Sequence, residues 1–340
     1  MPDVAPRPAM ATERPKLSFI VIARNQANTI AMCLDSVVAA ARTCGLRAFE
    51  IIYVDSNSTD GSLEIVRQWQ GAPVKIVRLT GMMNAAIARS AGAGVSQGDA
   101  LYFIDGDMAL DPQFLTAALD ADGKPIHPVL VGQLPEKFYD SEWRFVADGP
   151  DRFNARQRGY RSELGGIALI ERSAFEAVGG YRPEMRINED MDLGLRLARA
   201  GFPILSLPQP IATHHTVEYF DWGRMRGMLK NDSLFYPGAI FRRHITNPAY
   251  WPLLLSHQRP TAVLVTSVLL AIAVHPAWLL LYLAYVVLKN LRRPNISFTQ
   301  DLVGTTVRSV CFLLGIPFFF PPRIPPEQIG YQVETPTSRP

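Results

Sequence analysis

From Leu17 to about Leu207 the chain alternates short apolar runs with stretches of helical spacing. Leu17–Ala23 (LSFIVIA) is apolar at every position but Ser18, the pattern of a strand buried on both faces. Thr29–Ala41 follows with Ile30, Leu34, Val37 and Ala41 on one helical face. Ile51–Val54 reads as a second strand that stops at Asp55, and Asp60 is placed to cap a helix running to about Gln70. Val74–Leu79 and Met83–Val95 read as the next strand and helix, and Leu101–Ile104 as a fourth strand ending at Asp105. Strands and helices in this order form βαβ units on a parallel sheet. Asp55 and Asp105 are therefore expected at the carboxyl edge, where such sheets hold their ligands. Val129–Leu134 and Gly165–Ile170 predict two further strands, Asn188–Ala200 a helix with Asn188 at its N-cap, and Pro203–Leu207 a last strand. The stretch between, 136–164, carries six basic and six acidic residues and little periodicity; it reads as a long functional loop.

Beyond residue 222 the pattern changes. Residues 223–260 mix aromatic and basic side chains in the manner of an amphipathic interfacial segment. Residues 261–326 follow as hydrophobic helices. Within them Ala262–Leu288 runs 27 residues without Asp, Glu, Lys or Arg, broken only by His275-Pro276, and Leu302–Phe320 carries Arg308 as its one charge. A straight helix of that first length is roughly 40 Å, against a hydrocarbon core of roughly 30 Å, and the proline divides it into halves too short to cross. Basic residues flank it on both sides: Arg242, Arg243 and Arg259 before, Lys289, Arg292 and Arg293 after. Such flanks favour both ends on the cytoplasmic side. The expected form is a re-entrant or in-plane hairpin on the inner membrane. Residues 1–16, rich in proline and without an apolar run, read as a flexible leader and not as a secretory signal. Residues 327–340 read as a flexible tail.

Charge sharpens this division. The 340 residues carry a formal net charge of +3, but residues 1–222 hold 22 Lys and Arg against 27 Asp and Glu, whereas residues 223–340 hold 12 against 4. An acidic front part excludes broad binding to a phosphate backbone, so no nucleic acid partner is expected. The basic, apolar back part suits an anionic membrane surface. Three scattered cysteines, Cys33, Cys44 and Cys311, make neither a disulfide framework nor a metal cluster.

Four segments could carry chemistry. Asp55, closing its strand, can accept hydrogen bonds from a base or ribose hydroxyl, or simply hold a turn. Asp105-Gly106-Asp107 places two carboxylates around a flexible glycine directly after a buried strand, a donor set for Mg²⁺ or Mn²⁺. Glu189-Asp190-Met191-Asp192 opens a helix with three acids; the helix dipole accounts for one or two, and crowding raises carboxylate pKa values toward the range of a general base. His214-His215 could ligate a metal or face a diphosphate. There is no P-loop, no CxxC pair and no dinucleotide fingerprint.

In this order and spacing the segments LSFIVIARNQANTI, VDSNSTDGS, NAAIARSAGAGVSQGDALYFIDGDM and GGYRPEMRINEDMDLGLRLARAG resemble the family-2 glycosyltransferases of the GT-A fold, over roughly residues 17–222. The resemblance implies an α/β, Rossmann-like sheet, mixed and mostly parallel, flanked by helices, with membrane-associated helices behind it. It implies a nucleotide-diphosphate sugar donor, a sugar or lipid-linked acceptor, and a divalent metal. By the same resemblance Ala23, Arg24, Asn25 and Asp55 would line the nucleotide pocket, and Asn84 and Arg89 would help hold the nucleotide. Asp105 and Asp107 would take the metal-diphosphate, with His214 or His215 completing that shell. Asp190, beside Glu189, would be the base that deprotonates the acceptor. The Gln-x-x-Arg-Trp signature of processive synthases is absent, the corresponding stretch reading FDWGRMRGMLK, which implies one sugar per turnover. A sugar nucleotidyltransferase would add a basic, glycine-rich loop after the first strand, where Ala23–Ile30 has one arginine and no glycine. A non-catalytic membrane-attached module would have no use for the intact acidic segments.

Overall fold

The computed structural model describes residues 16–153, 157–217, 222–292 and 296–334. Apart from Lys16, the expected leader lies outside these residues. The chain begins with β1 (Leu17–Ala23), α1 (Ile30–Thr43), β2 (Phe49–Asp55), α2 (Ser62–Gln68), β3 (Val74–Leu79), α3 (Ala85–Val95) and β4 (Ala100–Asp105), the alternation its pattern predicts. There follow β5 (Met108–Leu110), α4 (Pro112–Ala118), β6 (Val129–Gln133), β7 (Pro135–Tyr139), β8 (Phe145–Asp151), β9 (Gly159–Arg161), β10 (Ala168–Glu171), α5 (Arg172–Ala177), α6 (Glu189–Arg199), β11 (Ile204–Pro210) and β12 (Ala212–Val217). The last part holds α7 (Trp222–Lys230), α8 (Tyr236–His244), α9 (Tyr250–His257), α10 (Arg259–Ala273), α11 (Leu279–Asn290), α12 (Phe298–Phe318) and β13 (Tyr331–Glu334).

Nine strands form one mixed sheet in the order β13-β3-β2-β1-β4-β10-β6-β11-β9. Its β3-β2-β1-β4 block is parallel. The alternation along β1 explains its unbroken apolar run: Phe19 and Val21 pack with Leu34 and Val37 of α1 on one face, Ile20 and Ile22 with Ile87 and Ala91 of α3 on the other. The sheet register aligns Ala23 with Asp55 and Ile22 with Asp105. Three adjacent parallel strands therefore end side by side, and because β2 and β4 flank β1 on opposite sides, their loops open the crevice where this kind of sheet binds ligands.

The irregular loop expected over 136–164 instead carries three strands, β7, β8 and β9. A second sheet of order β5-β12-β7-β8 stands over the carboxyl edge. Its strands escaped the hydrophobic pattern because β8 is mostly exposed and β7 carries Glu136 and Lys137 in mid-strand. The histidine pair also does not follow the last strand: it sits within β12, paired to β5 and β7.

The expected flexible tail is corrected in part. Tyr331–Glu334 forms β13, antiparallel to β3, with Glu334 bonded to Arg67 at 2.7 Å. Four residues of alternating polarity on an exposed edge give no hydrophobic signal; pairing with β3 is what orders them. Residues 335–340 lie outside the description.

The interfacial segment expected over 223–260 divides into α7, α8 and α9, with Tyr236, Ala239 and Ile240 of α8 buried. Helix α6 packs Leu193 and Leu197 toward the large sheet and Leu195 toward Tyr236 and Ile240, so α8 closes its outer side. Helix α12 crosses α8 at a point of close backbone approach. A Cβ on Gly238 would lie 2.4 Å from the Gly315 carbonyl carbon, so only glycine fits there. Arg242 then donates to the Phe319 carbonyl at 2.8 Å. Helices α10 and α11 form the hairpin that the proline predicts, and their outer positions Leu269, Ile272, Leu280 and Leu288 are all exposed. Among the described residues α12 is the one helix long and apolar enough to cross a membrane.

Candidate active site

The carboxyl edge of β1, β2 and β4 encloses a cavity of about 250 Å³, lined by Ala23, Arg24, Gln26, Ser56, Asp105 and Asp107, with Met83 and Asn84 closing one side. Its floor follows from the sequence. β4 ends at Asp105, Gly106 lets the chain turn, and β5 starts at Met108, so both acids sit on the bend between the two sheets.

Asp107 carries the less satisfied carboxylate of the bend. Its Oδ2 accepts from Gln26 Nε2 at 3.3 Å and lies 3.5 Å from His214 Nε2. Its Oδ1 is buried without a hydrogen-bond partner. A buried carboxylate oxygen left bare is costly unless a cation or donor arrives. The two carboxylates, Asp105 and Asp107, are oxygen donors that suit a hard divalent ion. Among the described residues no three His, Cys, Asp or Glu side chains converge as a ready-made metal group, so the protein supplies only part of a shell.

The two histidines separate cleanly. His214 turns inward, between Asp107 and Glu136, with Nδ1 3.2 Å from Glu136 Oε1. Burial disfavours its charged form, but the bonds to Asp107 and Glu136 outweigh that and push its pKa up to about 9. His215 turns the other way, its Nδ1 2.8 Å from the Tyr139 hydroxyl and its ring stacked on Tyr139. Burial, helped by Lys137, lowers its pKa. Its backbone N–H donates to the Asp107 carbonyl at 2.8 Å, which ties β12 to the Asp105–Asp107 bend.

Arg89 is expected beside the nucleotide, and the structure places it among acids. It is 2% exposed and does not line the cavity. Its guanidinium bonds Asp105 Oδ1 and Glu189 Oε1, each at 2.6 Å, and donates to the Gly166 carbonyl at 3.1 Å. Gly166 takes φ +83°, a backbone that suits glycine. Burial opposes the charge on Arg89, but Asp105, Tyr181 and Glu189 more than restore it. Burial also raises Asp105, against the pull of Arg89. Arg89 thus joins the Asp105-Gly106-Asp107 bend to the start of α6.

At that start the three acids divide. Glu189 is buried on Arg89; burial raises its pKa to about 7 against the pull of Arg89, and Asp190 adds to the rise. Asp190 is half-buried and accepts only from the Met191 N–H, at 2.8 Å, among the bonds described. Asp192 faces away, held by Arg196 at 2.8 Å, His244 at 2.9 Å and Arg182 at 3.1 Å. Burial works against its charge, yet these partners hold its pKa down to about 2. Asp192 is therefore structural. A depressed acid stabilises the fold above its unfolded pKa of about 3.9 and loses that contribution as pH falls through its folded value. Urea unfolding across pH 4 to about 2 is expected to show Asp192→Asn losing less stability than the wild type in this window; parallel slopes would contradict it.

The remaining assignments shift. Asp55 is 1% exposed, its carboxylate accepting from the Tyr53 hydroxyl at 3.1 Å and the Ser58 N–H at 3.0 Å, so it shapes the 55–58 turn, and Ser56 is the residue that reaches the cavity. Asn25, at φ +57°, accepts from the Thr59 N–H at 2.8 Å and staples the two loops together. Asp60 bonds the Ser62 N–H as expected and also takes the Ala27 N–H at 2.9 Å. Asn84 caps α3 by accepting from Ile87 N–H and donates to the Pro183 carbonyl at 2.7 Å, bringing the loop before α6 over the cavity. Asn188 precedes α6 at φ +59° without capping it, and its Oδ1 is buried and unpartnered. Gln26, Glu136, Gly166 and Tyr181 went unread in the sequence. The positive-φ pair Gly165-Gly166 was the one visible signal.

Residues 18–179 match the family described as Glycosyl transferase family 2. Glycosyltransferase AglE of Haloferax volcanii is 32% identical over 213 residues, covering 60% of this chain and 68% of that protein. Succinoglycan biosynthesis protein ExoA of Rhizobium meliloti is 26% identical over 231 residues, covering 62% and 68%. A solved mannosyltransferase of Pyrobaculum calidifontis, in complex with GDP-Man and Mn²⁺, aligns at TM-score 0.54 and 17% identity over 93% of this chain and 90% of its own. The sheet, its switch-point crevice and the acidic bend define a GT-A glycosyltransferase with a nucleotide-sugar-binding fold. The chain belongs to glycosyl transferase family 2.

Proposed function

We propose that this enzyme moves one sugar per turnover from a nucleoside diphosphate sugar to an acceptor hydroxyl, with inversion. The observation that carries the reading is the bare, buried Oδ1 of Asp107 at the wall of the donor cavity. The nucleotide lies in the cavity along Ala23, Arg24, Gln26 and Ser56. Asp105 and Asp107, with His214 alongside, would hold Mg²⁺ or Mn²⁺ together with the donor's own diphosphate oxygens. When bound, that ion supplies positive charge against the departing diphosphate. The acceptor oxygen attacks the anomeric carbon from the side opposite the diphosphate. The carbon–oxygen bond to the diphosphate breaks and its electron pair leaves with the nucleotide. Asp190 takes the hydroxyl proton. Arg89, through Asp105 and Glu189, keeps the donor side and the base side in one register.

Asp107→Ala is expected to remove the metal dependence of donor affinity. Calorimetry with nucleoside diphosphate sugars in Mn²⁺ tests this, and unchanged affinity contradicts the assignment.

The basic C-terminal part, with the exposed apolar faces of α10 and α11, supports attachment to the cytoplasmic face of the plasma membrane. The bacterial relative named for succinoglycan biosynthesis supports a role in cell-surface polysaccharide or glycolipid synthesis. Full-length protein is expected to pellet with membranes on ultracentrifugation; protein that stays in the supernatant without detergent contradicts the attachment.

A further inference from the structure

Residues 324–334 return from α12 to the edge of the large sheet and lie against a loop that walls the donor cavity. That loop, residues 80–84, runs from β3 to α3 and ends in Met83 and Asn84, which close one side of the cavity. It belongs to no helix or strand, and the returning segment supplies two of its hydrogen bonds. The Thr80 N–H donates to the Gly330 carbonyl and the Met82 N–H to the Gln328 carbonyl, each at 2.8 Å. The two backbones touch. A Cβ on Gly81 would run into the Gln328 carbonyl oxygen and lie 2.9 Å from the Gly330 nitrogen, so the approach needs glycine. Gly81 is not among the glycines with positive φ, so alanine there would meet the returning segment and no backbone strain. Ile324 and Ile329 pack on the core cluster that also takes Met82 and Met83. Beyond them β13 pairs with β3 from Tyr331 opposite Leu79 to Glu334 opposite Ile76. Glu334 is clamped there by Arg67 at 2.7 Å and Arg78 at 3.7 Å.

We propose that residues 324–334 are a positioning strap for the donor site. They hold residues 80–82 in place, and through them Met83 and Asn84 against the nucleotide. The proposal rests on the donor-cavity reading for its purpose. No strap residue lines the cavity, so the effect passes through the loop. A loop that is ordered only on binding loses affinity to that ordering, and a loop already held does not. The strap therefore acts on donor binding and leaves the transfer step alone.

The test uses the full-length protein and three variants. Gly81→Ala wedges the loop away from the strap. Glu334→Lys turns the clamp into repulsion from the strap side and leaves the loop's own sequence intact. Glu64→Lys is the control: Glu64 lies 3.6 Å from the same Arg67 but is not part of the strap. Amide exchange at Thr80 and Met82 is followed without metal or nucleotide. Calorimetry measures UDP, GDP and dTDP with Mn²⁺, and steady-state kinetics the UDP-, GDP- or dTDP-sugar that the wild type consumes. In Gly81→Ala and Glu334→Lys the two amides should exchange at least about tenfold faster. Nucleotide affinity should fall and donor KM rise at least about fivefold, with kcat within about twofold of wild type, the mark of lost uniform binding. Glu64→Lys should match the wild type throughout. Should Gly81→Ala fold poorly, Glu334→Lys decides. Unchanged exchange in Glu334→Lys would overturn the strap's hold on the loop. Faster exchange with unchanged affinity and KM would overturn its link to the donor, as would a fall in kcat at constant KM or an equal loss in Glu64→Lys. A wild type that binds none of the three nucleotides, with exchange still dependent on the strap, would sink the donor reading and leave the hold on the loop standing.

Discussion

Asp190→Asn should fold, bind its donor with near wild-type affinity and lose about 10²–10⁴-fold in the rate of sugar transfer. Asparagine is nearly isosteric, and the one bond described for the side chain, from the Met191 N–H to Oδ1, can be kept by the amide oxygen. The donor cavity is lined by other residues and is untouched. What disappears is the proton acceptor. The neighbours cannot replace it. Glu189 is committed to Arg89 at 2.6 Å, and Asp192 is enclosed by Arg182, Arg196 and His244 on the far side of the helix. Turnover of Asp190→Asn beside Glu189→Gln decides the point. Near wild-type turnover in Asp190→Asn with a dead Glu189→Gln would move the base to Glu189, whose pKa, pushed up to about 7, would then be its qualification.

Arg89→Met should cost about 3–5 kcal/mol of stability, the price of breaking a buried ion pair from one side. Methionine fills much of the volume but leaves Asp105 and Glu189 without the cation between them, and the Gly166 carbonyl without its donor. The carboxylates can then avoid charge only by taking up protons, so the loss should deepen as pH rises from about 5 to 8. The wild type, in which Arg89 holds down part of the rise at Glu189, should show a shallower decline over the same window. Denaturant unfolding of the two proteins at several pH values measures it. A loss under 1 kcal/mol, flat with pH, would show that Arg89 is not the tie between the acidic bend and α6.

Much of this was legible from residue order. The runs LSFIVIA, IIYV and LYFI gave the parallel block because each is buried on both faces, and a buried strand has no polar alternation to confuse the reading. The acids at their ends came into view for the same reason, since a strand that stops at a charge marks the sheet's edge. The second sheet was not legible. Its strands are paired at a surface, where Lys137, Glu136 and the exposed residues of β8 hide the period of two. Long-range pairings were equally hidden. Nothing local tells that Glu189 and Asp105 share one arginine, that Asp192 belongs to His244 fifty-two residues later, or that Tyr331–Glu334 joins the sheet beside β3. The burial of Asp55 and Arg89, and the partners their polar atoms take inside the protein, were hidden too, because sequence shows burial only as an average.

The central claim is that the Asp105–Asp107 bend and Asp190 perform metal-dependent, inverting sugar transfer. It is tested most directly by offering the full-length enzyme UDP-, GDP-, dTDP- and CMP-sugars with Mn²⁺ and again with EDTA, following nucleotide release and the anomeric configuration of the transferred sugar by NMR. The account predicts that one nucleoside diphosphate sugar is consumed with Mn²⁺, not with EDTA, and that its sugar emerges with the opposite anomeric configuration. Turnover that persists in EDTA, or a product that retains the donor's configuration, would contradict it.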